Sequence, residues 1–241
     1  MRVALAGEAL PLWVSAERQT AGRGRAGRSW TSEPGNLQAS VALTSEAPLA
    51  QAGELALVAG VALFDAIRNA ASVAKTLRMR LKWPNDVLIG AAKAGGILVE
   101  TTTARGAPGF LAIIGFGVNV GSYPSDLVPA ATSLAAEGAV MTPDDLLDAL
   151  ASRLDDWLTV WDDGRGFAGK IAPAWTERAG PIGEAIAVST ASGRLTGRYA
   201  GIDERGYLAL DADDGTRHTV THGDVALTDQ ALGAAGESGA Q

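Results

Sequence analysis

The chain changes character at Gly180-Pro181, and that change constrains the fold more than any other feature. Beyond it, Glu184 to Leu227 breaks into short strand-like pieces. They are separated by turn residues at Ser192-Gly193, Asp203 to Gly206, Asp213 to Gly215 and His222-Gly223. Five such strands at regular spacing read as a small all-β unit of about 45 residues. Before it, alternating apolar runs mix with segments at helical spacing, the pattern of a sheet packed with helices. The expected fold is therefore α+β. A mixed sheet with helices covers 1–182, a small β-barrel covers 183–229, and a disordered tail of small and polar residues covers 230–241.

Within the larger part, Leu12 to Glu17, Leu37 to Leu43 and Leu77 to Trp83 read as strands. Asp86 to Ile89 and Gly95 to Thr101 read as a hairpin turning near Gly90-Ala91-Ala92. Phe110 to Val120 is apolar throughout, as a central strand should be. Pro48 to Asn69 carries Leu55, Val58, Ala59, Ala62, Leu63 and Ile67 at helical spacing and predicts a long amphipathic helix. Thr142-Pro143-Asp144-Asp145 starts another, with a capping hydroxyl, a proline in the first turn and two carboxylates at the positive end of the dipole. That helix should run to Trp161, and a further one from Phe167 to Arg178.

Composition removes whole classes of chemistry. With no cysteine, disulfides, thiolate metal sites and cysteine nucleophiles are excluded. The two histidines, His218 and His222, fall on strand-like sequence, where residues four apart stand roughly 13 Å from each other. A zinc centre and a Ser-His-Asp triad are therefore not expected. A net charge of −7 opposes nucleic-acid binding. No apolar run has the length of a membrane span and the N-terminus lacks a signal-peptide pattern, so the expected location is the cytoplasm.

Against that acidic background, Arg18, Arg23, Arg25 and Arg28 crowd into eleven positions. Gly22 to Gly27 formally matches G-x-G-x-x-G, but Pro34 and Gly35 follow where the dinucleotide fingerprint needs a helix. The arginines are the better clue: glycines let backbone approach a ligand, and guanidinium forks suit phosphate. The alternative is a solvated basic turn, which mutual repulsion disfavours. Other segments also leave alternatives open. Lys82-Trp83-Pro84-Asn85-Asp86 is a site edge or ordinary turn chemistry. Lys93, just before Gly95-Gly96, faces a site and stabilises developing negative charge, or points to water. Gly115 and Gly117 clear space for a ligand or bend a sheet, and Asn119 offers a donor to phosphate or hydroxyl. Trp30 stacks on a purine or belongs to the core.

Taken in order, Gln19-Thr20-Ala21-Gly22-Arg23-Gly24-Arg25, Lys82-Trp83-Pro84-Asn85-Asp86, Lys93-Ala94-Gly95-Gly96-Ile97-Leu98-Val99-Glu100 and Gly115-Phe116-Gly117-Val118-Asn119 strongly resemble the biotin–protein ligases. The segment ending Gly223-Asp224-Val225 is similar to that family's C-terminal SH3-like domain. The resemblance implies a class II synthetase-like catalytic domain that makes biotinyl-5′-AMP from biotin and ATP with Mg2+. The biotin then passes to a lysine of a biotin carboxyl carrier protein. It implies that Gln19, Arg23, Gly24, Arg25 and Lys93 bind biotin or its adenylate, with Lys93 and Arg25 catalytic. Arg28, Trp30, Lys82, Asn85, Asp86, Gly117 and Asn119 are further candidates, and no residue is assigned as a metal ligand. A lipoate-type ligase and a catalytically impaired biotin-binding protein remain alternatives. Some members pair through sheet edges, so a homodimer is compatible. The family carries a Ser-Thr-Asn motif before the loop; none precedes Gln19 here, and a start further upstream is expected. No helix-turn-helix precedes the loop either, so a repressor role is not expected.

Overall fold

The computed structural model describes residues 9–70, 77–103, 108–127 and 129–227. The tail over 230–241, expected to be disordered, lies outside the described residues, as do residues 1–8. In the larger part, β1 (Leu12–Ser15), β2 (Leu37–Ser45), β3 (Met79–Lys82), β4 (Asp86–Ile89), β5 (Ala92–Thr103) and β6 (Phe110–Val118) form one sheet in the order β1-β2-β6-β5-β4-β3. Every pairing of these strands is antiparallel; among the described residues, parallel pairing is confined to isolated bridges at Leu81–Ala179 and Lys93–Ala131. The apolar strand β6 is central, as its sequence requires. The β4–β5 hairpin turns where expected, with Gly90 at φ 61°.

One face of this sheet is core. Leu37, Ala39, Val41 and Leu43 of β2 and Phe110, Ala112, Ile114 and Phe116 of β6 are buried there. They belong to one core with α1 (Glu54–Ala70). This helix corrects an expectation. It begins at Glu54, after a separate turn at Leu49–Gln51, and it is buried nearly all round rather than amphipathic. Strands β3 to β6 lie on one side of it, while α2 (Pro143–Trp161) and α3 (Ala172–Arg178) cover the other. A helix apolar on every side suits such a middle layer. Its lone polar group in the first turn, Glu54, accepts a 2.6 Å bond from the Trp161 indole.

Helix α2 starts as its sequence dictates. Asp145 donates its backbone N–H to the Thr142 hydroxyl at 3.1 Å, and the Asp145 carboxylate accepts from the Thr142 N–H at 3.0 Å. The expected second helix is a π-helical turn over Phe167–Ile171 that runs on into α3. No described helix is long and apolar enough to cross a membrane.

The expected small β unit is a five-stranded antiparallel sheet. Its strands are β7 (Ala185–Thr190), β8 (Gly193–Ile202), β9 (Leu208–Asp211), β10 (Arg217–Val220) and β11 (Asp224–Leu227), in the order β10-β9-β8-β7-β11. A register shift between Tyr199 and Ile202 curls β8 in the manner of an SH3-like fold. Polar ties seat this unit on the larger one. Trp83 donates to Gly206 O at 2.9 Å, Arg80 pairs with Glu184 at 2.7 Å, and Lys82 donates to Val225 O at 3.1 Å.

Candidate active site

Register fixes what the outer face of the large sheet presents. Side chains opposite one another on neighbouring strands share a face. One row is therefore Gln38, Gly117 and Gly96; the next is Val14, Ser40, Gly115 and Leu98; a third is Leu12, Ala42, Ile113 and Glu100. Apart from Gln38, which does not reach it, the residues of these rows floor a cavity of about 890 Å³. Leu12, Ala42 and Ile113 give its floor apolar ground, edged by Glu100, which pairs with Arg23 at 3.8 Å. Its polar end is walled by the arginine loop, the β3–β4 turn and the small sheet.

The candidate site residues named from the sequence come together here: Gln19, Arg23, Gly24, Arg25, Arg28, Trp30, Lys82, Asn85, Asp86, Lys93, Gly117 and Asn119 line this cavity. Six cationic side chains (Arg23, Arg25, Arg28, Lys82, Lys93 and Arg194) face three acidic ones (Asp86, Glu100 and Asp224), on a chain with net charge −7. The surplus is local and positive, as an anionic ligand requires.

The glycine-rich loop is a miniature hairpin. Gly24 donates to Arg28 O at 2.7 Å and Trp30 to Gly22 O at 3.0 Å. The tip is a tight turn at Arg25–Gly27, with Ala26 at φ 54° and Gly27 at φ 73°. At Gly22 a Cβ would stand 2.5 Å from Trp30 O, so only glycine closes this hairpin. Its arginines do not simply repel each other in solvent. Arg28 pairs with Asp224 at 2.9 Å, and Arg25 reaches Asp224 at 3.4 Å, Gly223 O at 3.1 Å and Asn85 Oδ1 at 3.3 Å. Arg18 is not among the lining residues.

Lys93 is not a hairpin lysine in water. Its ammonium pairs with Asp86 at 2.5 Å and lies 5.5 Å from the centre of the Trp30 ring. Lys82 holds the other Asp86 oxygen at 3.0 Å. Burial pushes the Asp86 carboxyl up, but the charges of Lys93 and Lys82, and the bonds they donate, outweigh it. The net result lies below the ordinary carboxylate range. Asn85 is stitched to β5 by its amide, 2.6 Å from Ile97 O.

Trp30 is not a core residue. It is half-buried over the glycine floor, and a Cβ on Gly117 would stand 2.5 Å from its ring. Gly117 therefore clears space for Trp30. Asn119 is a correction. It is buried, and its amide donates to Thr132 O at 3.0 Å and Lys93 O at 3.5 Å, so its N–H groups tie the cavity rim together and are not free for phosphate. Lys82 is likewise partly committed, to Val225 O and Asp86.

Sequence reasoning missed several residues. Asp224 lies on a strand that pairs far from the loop in sequence, and only its charge opposite to the arginines hinted at it. Asn36, also missed, accepts from the backbone N–H groups of Val120, Gly121 and Ser122 and so anchors the segment after β6. An Asn just before a strand carries no signal of such a role. Arg194 joins Ser189 and Asp224 in one cross-strand row of the small sheet facing the cavity.

A ligand with an apolar body and an anionic end fits this arrangement: an organic acid over the sheet, its carboxylate near Lys93, and phosphate towards the arginines. Comparison with known proteins agrees with that chemistry. Residues 8–119 match the model of the biotin/lipoate A/B protein ligase family, and residues 182–228 match that of the biotin protein ligase C terminal domain. The biotin–[acetyl-CoA-carboxylase] ligase of Paracoccus denitrificans is 38% identical over 82% of this chain and 83% of its own length. That of Mycobacterium tuberculosis is 33% identical over 87% of this chain and 76% of its own length. The solved structure of the biotin protein ligase from Aquifex aeolicus in complex with biotin and ATP superposes with a TM-score of 0.71 at 25% identity, over 89% of this chain and 87% of that one.

Proposed function

This chain belongs to the biotin/lipoate A/B protein ligase family, and from that premise we propose that it joins biotin to ATP as biotinyl-5′-adenylate and passes the biotinyl group to a lysine of a biotin carboxyl carrier protein. One observation carries the reading: a single cavity joins an apolar sheet floor to Lys93, Arg25 and Arg28. A carboxylate oxygen attacks the α-phosphorus and pyrophosphate leaves; the carrier lysine then attacks the acyl carbon and AMP leaves. Both steps gather negative charge beside the acyl and phosphoryl oxygens. Fixed cations in a site sheltered from water stabilise that charge more than water would. Gln19, at the loop's base, is assigned to biotin, Arg23, Gly24, Arg25 and Arg28 to the adenylate, and Lys93 to the oxygens at the reacting centre.

Magnesium would arrive on the triphosphate. Among the described residues no group of three ligating side chains could hold it alone, and this ion usually binds through substrate phosphates with one or two carboxylates. Asp86 and Glu100 are the carboxylates of the large sheet that face the cavity.

The test is biotin-dependent exchange of pyrophosphate into ATP by the purified chain, with lipoate as a parallel substrate. Exchange with biotin supports the reading, exchange only with lipoate redirects it, and tight biotin binding without exchange marks an impaired binding protein. Transfer is then read by labelling a carrier domain.

A narrower expectation concerns Arg25. Arg25→Gly should speed dissociation of the adenylate by roughly 10- to 100-fold, the weight of one or two bonds to a charged group, while the biotin Kd changes little. Equal losses for both ligands would contradict the phosphate assignment. Stopped-flow dissociation of labelled adenylate measures the first quantity and calorimetry the second.

A further inference from the structure

Among the described residues six cationic side chains line the cavity, and five of them are paired. Arg23 meets Glu100, Arg25 and Arg28 meet Asp224, and Lys82 and Lys93 meet Asp86. These pairs take up all three lining carboxylates. Arg194 is the sixth cation. It is exposed, and its side chain makes no ion pair or hydrogen bond among the described residues. A partnerless arginine on an open surface is ordinary; this one is held against a cavity built for an anion.

Register fixes where it stands. Arg194, near the start of β8, lies directly across from Ser189 of β7, and Ser189 lies across from Asp224 of β11. Residues opposite one another share a face, so Arg194 and Asp224 point to the same side, two strand spacings or roughly 10 Å apart. The turn before Arg194 is tied down: the Thr190 hydroxyl donates to Gly193 O at 2.9 Å and shares a 3.0 Å bond with the Ser192 hydroxyl. The start of β11 presses on β7, since a Cβ on Gly223 would stand 2.8 Å from Ser189 O. Polar contacts then lead in series away from Lys93. Lys93 pairs with Asp86; the neighbouring Asn85 accepts from Arg25 at 3.3 Å; Arg25 reaches Asp224 at 3.4 Å; and Arg194 stands two strands further across the small sheet.

We propose that Arg194 is a further substrate-binding residue, whose guanidinium holds the β- and γ-phosphates of ATP and the pyrophosphate they become. The inference rests on the ligase reading above. As the acid's carboxylate oxygen bonds to the α-phosphorus, the bond to the bridging oxygen breaks on the opposite side, and pyrophosphate leaves with the electron pair. With the carboxylate at Lys93 and the α-phosphate at Arg25 and Arg28, the leaving group extends away from Lys93, across the small sheet. A planar fork with no carboxylate to displace suits its several oxygens. The adenylate lacks these phosphates, so Arg194 takes no part in retaining it.

Biotin-dependent pyrophosphate exchange tests this on the unaltered chain, Arg194→Ala and Arg194→Lys. The biotin Kd is read by calorimetry, and transfer by single turnover from preloaded adenylate to a carrier domain. Arg194→Ala should raise the KM for ATP and that for pyrophosphate about tenfold, the lower end for a bond to a charged group because the side chain is open to solvent. Arg194→Lys keeps the charge without the fork and should recover part of both. The biotin Kd and the carrier concentration for half-maximal transfer should stay within about twofold of normal. Unchanged KM values for ATP and pyrophosphate in Arg194→Ala overturn the proposal. So does an equal loss for biotin, and so does a loss confined to transfer, which makes Arg194 a contact for the carrier instead. Failure of the unaltered chain to exchange would remove the ligase reading and this inference together, whereas normal exchange kinetics in Arg194→Ala remove this inference alone.

Discussion

Lys93→Ala is expected to slow biotin-dependent pyrophosphate exchange by about 10²–10³-fold, the range seen when one donor to a developing oxyanion is removed. The geometry explains why the fold should survive the change. Lys93 shares Asp86 with Lys82, which stays 3.0 Å from the carboxylate, so no buried charge is left alone. The backbone of Lys93 is held independently, donating to Ala130 O at 2.8 Å and accepting from Thr132 N at 3.0 Å. Lys93→Arg should rescue little. The ammonium sits tightly above Gly96, 3.1 Å from the place of a Cβ, and a planar guanidinium needs more room. Exchange rates at saturating biotin and ATP, with melting temperature measured in parallel, check both halves. Exchange within a few-fold of normal would remove Lys93 from the chemistry. A large loss of stability would mean that its main task is to pin Asp86.

Local chemistry was legible where the chain itself closes the contact. The Thr142–Asp145 reciprocal bonds need nothing beyond their own four residues, and they form as read. The β4–β5 turn and the strands β7 to β11 also follow from neighbouring residues. Helix α1 shows the limit. Its apolar spacing was visible, but what lies against its second side depends on α2 and α3, which come more than seventy positions later. An amphipathic stripe and a fully apolar helix look alike until the second partner is known, although the scarcity of polar residues between Leu55 and Phe64 pointed to the latter.

The same limit governs the site. The cationic loop and the lysines announce themselves through residue type and spacing. Asp224 does not, because it is an ordinary residue made relevant by a partner elsewhere. Asp224 meets Arg28 across 196 positions. Asn119 fails in the other direction. Its type and position at a strand end suggested a ligand donor, and the fold spends both N–H groups on carbonyls of the cavity rim. Side-chain chemistry can be read from sequence, but whether a donor is already engaged cannot.

Asp86→Ala should lower stability by about 3 kcal/mol, the lower end of the effect of breaking a buried ion pair, and the melting temperature by roughly 6–12 °C. The lower end applies because the two lysines facing the vacated position, Lys82 and Lys93, keep 15% and 29% of their side chains exposed and can recover some hydration. Acid should reveal the same interaction. The folded-state carboxyl lies below the ordinary carboxylate range, since Lys93 and Lys82 together outweigh the opposing effect of burial. Its stabilising contribution is therefore complete above the pKa of an unfolded aspartate, about 4, and is lost as pH falls through the lower folded value. Asp86→Asn removes that titration. Its melting temperature should start lower at pH 7 and fall less steeply than that of the unaltered chain between about pH 4.5 and 3. Parallel acid limbs in the two proteins would show that Asp86 does not titrate as a paired carboxylate. The double variant Asp86→Asn with Lys93→Ala should then lose less than the two single losses added together, because each removes the same bond.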